Sequence, residues 1–177
     1  QTPDTQTPDL PTSEKESRTP MYKNTFQVAW ITTDVDRAAQ VFKDEQGIDL
    51  AVFKGFSLDT YGGDPLVIDV ALGYVGDLQF EVIEPVSGPN ALYTRHLPAS
   101  GEYTLKFHHL CNRFDTVEEY EKVLADYRRR EVPIEVDGSF GESGRFFYAD
   151  TRSSLGVYQE YALLDKDTSF LESLPRN

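Results

Sequence analysis

From residue 25 onward the chain shows two kinds of hydrophobic spacing. TFQVAWITT (25–33), LAVFKGFSL, LVIDVALGY and LQFEVIEP are short runs rich in Val, Ile, Phe and Tyr, side chains that suit a pleated, half-buried surface. Between the first two lies VDRAAQVFKDEQ, preceded by Asp34 and followed by Gly47, a capping residue and a stop signal that predict a helix. The turn Val75–Gly76–Asp77 separates the last two strands. The order over residues 25–85 is therefore β-α-β-β-β. It recurs from Tyr103. YTLKFHHLCNRF reads as a strand, and VEEYEKVLADYRRR reads as an amphipathic helix with Val117, Tyr120, Val123, Leu124 and Tyr127 at helical spacing. VPIEVDG, GRFFYAD and GVYQEYALL supply three more strands. The pattern predicts an α+β chain of two tandem βαβββ modules, 25–88 and 103–165, joined by a linker, 89–102. A C-terminal tail, 166–177, follows. Residues 1–24, with the near-repeat QTPDTQTPD and few large apolar side chains, predict a flexible low-complexity tail.

Four polar residues break the strand pattern. Gln27 opens an apolar run, and His109 does the same in the second unit. Glu81 interrupts the last strand of the first unit, and Glu160 the last strand of the second. Glutamate is depleted in strands, and burying it unpaired is costly. The separations Gln27 to His109 and Glu81 to Glu160 are 82 and 79 residues, so the exceptions keep register with the duplication. Two such half-barrels brought together set all four around one cavity. Alternation along the strand places Leu105, Phe107, His109 and Cys111 on one face and Lys106, His108, Leu110 and Asn112 on the other. His109 is then the inward histidine, and His108 a neighbour of the helix layer or solvent.

Composition narrows the classes. A formal net charge of −13 over 177 residues argues against nucleic acid and anionic membrane as partners. No apolar run approaches the length of a membrane span, and the opening residues carry no charged-then-apolar signal pattern. One cysteine, Cys111, cannot form an intrachain disulfide. A cytoplasmic protein acting on a small molecule is the expectation.

The pieces FQVAWITTDVDRAAQVF with Gly47, LQFEVIEPVSGP, KFHHLCNRFDTVEEYEKVL and GRFFYADTRSSLGVYQEYALL together resemble the vicinal oxygen chelate superfamily of glyoxalases, bleomycin-resistance proteins and extradiol dioxygenases. In outline the chain looks most like methylmalonyl-CoA epimerase and glyoxalase-4 type members. The resemblance implies a curled mixed sheet around a divalent metal ion (Zn, Ni, Co, Mn or Mg), with ligands at Gln27, Glu81, His109 and Glu160. That set is similar to the one in glyoxalase I, whereas epimerases usually carry His and Gln at the first two positions; extradiol oxidation, which needs two His and one Glu, is disfavoured. The implied chemistry is proton abstraction next to a carbonyl, as in an isomerase, epimerase or lactoylglutathione lyase, with Glu160 as first-choice base and Glu81 as second. Trp30, Phe53, Tyr103, Phe107 and Tyr158 suit an apolar or aromatic substrate, and Arg95 a carboxylate. The acidic chain has no obvious basic cluster to grip coenzyme A phosphates. A homodimer is expected. The competing expectation is a metal-free small-molecule binding protein of the bleomycin-resistance type.

Overall fold

The computed structural model describes residues 24–164 and 168–177. The N-terminal tail expected at 1–24 lies, but for Asn24, outside the described residues. The first repeat runs β1 (Thr25–Thr32), α1 (Val35–Gln46), β2 (Ala51–Thr60), β3 (Leu66–Val75) and β4 (Leu78–Ser87). A one-turn helix, α2 (Ala91–Thr94), occupies the connection. The second repeat runs β5 (Leu105–Phe114), α3 (Val117–Arg129), β6 (Ile134–Ser139), β7 (Arg145–Ala149), the short α4 (Arg152–Leu155) and β8 (Tyr158–Leu163); α5 (Ser169–Glu172) follows.

Local chemistry fixes the two long helices. Asp34 accepts the Arg37 N–H at 2.9 Å, and Gly47 closes α1 at φ 70°, where a Cβ would be strained. Thr116 accepts the Glu119 N–H at 3.3 Å, with Glu118 and Glu119 in the first turn of α3 and Arg128 and Arg129 in its last, so charge complements the helix dipole at both ends. Helix α1 buries Val35, Ala38 and Phe42 against the outer face of the first repeat. Helix α3 buries Tyr120, Leu124 and Tyr127 against Phe147, Tyr161 and Leu163. Burial of each large apolar side chain contributes about 1.5–3 kcal/mol.

The eight strands close into a barrel in the order β1-β4-β3-β2-β6-β7-β8-β5. β1 and β4 pair in parallel, as do β5 and β8, while the other neighbours are antiparallel. The repeats join along two unequal seams. β1 and β5 pair from Thr25–Asn112 to Thr32–Leu105, whereas β2 and β6 meet only at Asp59–Ser139 and Thr60–Gly138. Each first strand is bulged once. Pairing skips Phe26 on β1 and His108 on β5, so a bulge immediately precedes both Gln27 and His109.

The bulge at His108 corrects the simple alternation of β5. Leu105 packs with the α1 layer, and Phe107 lies 41% exposed against Trp30 on the outside, while His109 and Cys111 point inward. His108 does not face solvent; it is buried beside Tyr158 and α2. An extra residue in one strand of a pair reverses which side later side chains occupy.

The chain after Thr168, expected as a tail, packs on the barrel. Tyr74 N–H donates to the Pro175 carbonyl at 2.8 Å, the Asn177 N–H donates back to the Tyr74 carbonyl at 2.9 Å, and Leu174 is buried.

Candidate metal centre

Gln27, Glu81, His109 and Glu160 come from four neighbouring strands, β1, β4, β5 and β8. Among the described residues, Glu81, His109 and Glu160 offer ligand atoms all within 4.8 Å of one another. His109 Nε2 lies 3.1 Å from Glu160 Oε2 and 3.3 Å from Glu81 Oε2. The imidazole is fully buried, and the Glu160 and Glu81 side chains are 6% and 13% exposed. Gln27 is held from behind: its Nε2 donates to Gln79 Oε1 at 2.6 Å, and Gln79 Nε2 donates to the Tyr74 hydroxyl at 2.9 Å. That leaves Gln27 Oε1 buried without a hydrogen-bond partner among the described residues, on the wall of the cavity that Glu81 and Glu160 also line.

This donor set fits a divalent cation. Two carboxylates, an amide oxygen and an imidazole are oxygen-rich ligands with one nitrogen, and an orphaned buried carbonyl oxygen is costly unless something binds it. Without a cation, the histidine takes over part of the charge balance. Burial works to lower the His109 pKa, but the hydrogen bonds and charges of Glu160 and Glu81 outweigh it and raise it to about 9. Burial raises the Glu81 carboxyl, against the lowering effect of His109. A bound dication with neutral His109 would cancel the two carboxylate charges.

The cavity above these residues measures about 330 Å³. Phe56, Leu58, Ile68, Val70, Leu72 and Ile83 form much of its wall, and Phe170, which lines it while 39% exposed, marks its rim. Among the described residues no lysine or arginine lines it. Three groups to which sequence reasoning gives no role also face it. Tyr93, from α2, donates to the Tyr148 hydroxyl at 3.1 Å, and that hydroxyl lies 3.5 Å from His109 Nε2. Cys111 is buried, and burial pushes its thiol well above the ordinary range. Alternation already sets Cys111 beside His109 but assigns it no role; it marks Tyr148 as inward only once the register of its strand is known, and nothing in the linker sequence signals Tyr93.

The six expected substrate contacts go elsewhere. Trp30 lies on the outer face of β1, 5.1 Å from Phe42 and 5.4 Å from Phe80 between ring centres, and Phe107 packs beside it. Tyr103 lies under the Arg37 guanidinium at 3.9 Å. Arg95 makes a two-pronged ion pair with Glu135 at 3.0 and 2.8 Å. Tyr158 stacks on His108 and bonds His96 at 2.8 Å. Phe53 packs behind Phe170 at 5.0 Å. None of the six lines the cavity, because aromatic residues also cover the outer face where helices and loops dock.

No protein-family model and no curated protein sequence matches the chain. Solved structures do. Methylmalonyl-CoA epimerase from Mycobacterium tuberculosis is 14% identical over 92% of this chain and 100% of its own, with a TM-score of 0.54. A variant of the Streptomyces coelicolor methylmalonyl-CoA epimerase, in complex with 2-nitronate-propionyl-CoA, is 13% identical over 81% and 98%, with a TM-score of 0.52. A hypothetical protein from Bacillus halodurans is 13% identical over 81% and 96%, with a TM-score of 0.54. With its two βαβββ repeats curled into one mixed barrel, the chain has the fold of the vicinal oxygen chelate superfamily.

Proposed function

We propose that the protein is a divalent-metal-dependent enzyme that moves a proton next to a carbonyl of a small, uncharged apolar or aromatic substrate, in an isomerase, epimerase or lyase reaction. The observation that carries this reading is the clustering of Glu81, His109 and Glu160 donor atoms within 4.8 Å, beside an apolar cavity whose wall also includes Gln27 with its orphaned Oε1. A cation held by these four would act as a Lewis acid toward a substrate oxygen.

The residues divide the remaining work. Glu81 is the preferred base, ahead of Glu160. Its Oε2 lies 3.3 Å from His109 Nε2, farther than the 3.1 Å of Glu160, its side chain is the more open of the two, and burial raises its pKa. Tyr148 accepts the Tyr93 proton, which leaves its own proton to donate to a substrate oxygen that gains charge. The apolar wall excludes water. A cavity that no lysine or arginine lines among the described residues supports a substrate lacking phosphates, unlike the 2-nitronate-propionyl-CoA bound by the S. coelicolor epimerase variant.

Elemental analysis of purified wild type and His109→Ala after loading with zinc, nickel, cobalt, manganese or magnesium tests the metal. About one ion per chain in wild type and loss in His109→Ala are expected. Solvent deuterium exchange into uncharged apolar 2-oxo and acyl compounds tests the chemistry, with exchange lost in Glu81→Gln while the ion is retained. Wild type that takes up no ion, yet binds apolar probes, would instead be a small-molecule binding protein.

A further inference from the structure

Behind the ligand histidine runs a hydrogen-bond chain with a fixed direction. His108 Nε2 lies 2.9 Å from the Leu92 carbonyl of α2, and His108 Nδ1 lies 2.9 Å from His109 Nδ1. Both histidines are buried, at 4% and 0% exposure. A carbonyl can only accept, so His108 Nε2 carries a proton. The neutral His108 ring then has a bare Nδ1, which can only accept. His109 Nδ1 must therefore be the donor, and a neutral His109 must leave Nε2 bare. Nε2 is the atom that faces Glu81 and Glu160.

We propose that His108 is a positioning residue that holds His109 in the Nδ1–H tautomer, presenting a bare Nε2 to a divalent cation, with the Leu92 carbonyl anchoring the chain. This rests on the metal reading of the preceding subsection. The fold supports it twice more. His108 is the bulged residue of β5, and the bulge turns its ring to the same side as the ligand that follows it. Its ring is clamped by Tyr158, stacked with centroids 4.6 Å apart, and by Tyr93 at 5.2 Å, so the acceptor nitrogen is fixed in direction. The first repeat has no such relay. Its bulged residue is Phe26, and Gln27 is oriented from the side by Gln79. Without an acceptor behind it, a neutral imidazole between two carboxylates places its single proton on Nε2, where it blocks coordination. Outer partners that orient a ligand histidine typically carry 10–100-fold in metal affinity.

His108→Phe keeps a ring to stack on Tyr158 and removes the acceptor; His108→Asn restores an acceptor oxygen near the place of Nδ1. Zinc affinity is measured by competition with a chromophoric chelator, folding by near-UV circular dichroism, and the tautomer by ¹⁵N-detected imidazole spectra of zinc-loaded wild type. The expected result is a 10–100-fold weaker zinc affinity in folded His108→Phe, recovery to within about threefold of wild type in His108→Asn, and a His109 ring protonated at Nδ1 and coordinated through Nε2. Wild-type affinity in His108→Phe, or zinc coordination through Nδ1 of His109, overturns the proposal and leaves the metal reading standing. Wild type that takes up none of zinc, nickel, cobalt, manganese or magnesium overturns both. The wild-type spectrum decides the question even where His108→Phe does not fold.

Discussion

Asn177 latches the C-terminal segment, and with it part of the cavity rim. Its Oδ1 accepts the Asp49 N–H at 2.9 Å, and its Nδ2 donates to the Asp49 carbonyl at 3.2 Å and the Tyr74 carbonyl at 2.9 Å. Upstream, Phe170 and Leu171 line the cavity. Asn177→Ala removes all three side-chain bonds and leaves the main-chain bonds to Tyr74 and the buried Leu174. Two of the three bonds are exposed, so the loss is about 1.5–2 kcal/mol, below the sum of three buried bonds. That corresponds to opening of the segment roughly 10–30-fold more often. Amide hydrogen exchange reads it directly, because the Tyr74 N–H is protected by the Pro175 carbonyl. Exchange at Tyr74 should accelerate by that factor while amides in the β1–β4 pairing stay unchanged, and an apolar fluorescent probe should reach the cavity faster. Tyr74 exchange within about twofold of wild type would refute the claim that these bonds latch the segment.

Gln79→Leu frees the Gln27 amide to rotate, and zinc affinity measured by chelator competition should fall about tenfold. In Gly138→Ala the new Cβ would lie 2.2 Å from the Asp59 carbonyl oxygen and 3.0 Å from the Phe146 ring; a loss of about 2 kcal/mol, or about 4–8 °C in melting temperature, is expected by calorimetry. Because the His109 pKa is raised from 6.5 to about 9 in the metal-free protein, its contribution to stability is full below pH 6.5 and is lost as pH rises through 9, about 3 kcal/mol in all. Urea unfolding across that window should show the decline, while zinc affinity should rise tenfold per pH unit up to about pH 9, since binding displaces the His109 proton.

The four candidate donors were legible because each interrupts an apolar run at a repeated spacing, and because burial of a carboxylate in a strand demands a reason. The helices were legible from Asp34, Gly47 and the apolar stripe of α3. Other features depend on what the chain meets after folding. The bulge at His108 arises from its pairing with β1 and has no mark within KFHHLC, so alternation put Phe107 on the wrong face. Trp30 and Phe107 look like pocket residues in sequence, since apolar side chains cover both faces of a strand sandwiched between a cavity and a helix. Tyr93 and Leu92 lie in a connection without hydrophobic periodicity, yet both are buried. Their roles come from tertiary packing.

The unequal seams have a mechanical consequence. Every candidate donor belongs to the contiguous strands β4-β1-β5-β8, bound along the long β1–β5 pairing, while the short β2–β6 junction lies across the barrel. A shell stitched in this way behaves like a book with one firm spine and one loose fore-edge. Strain from a bulky guest would be relieved at the fore-edge, where few hydrogen bonds must break, and the candidate donors would travel together along the spine. An ion held by these donors would thereby be insulated from the size of what the cavity admits, and the frame could take a different guest without moving the candidate donors apart.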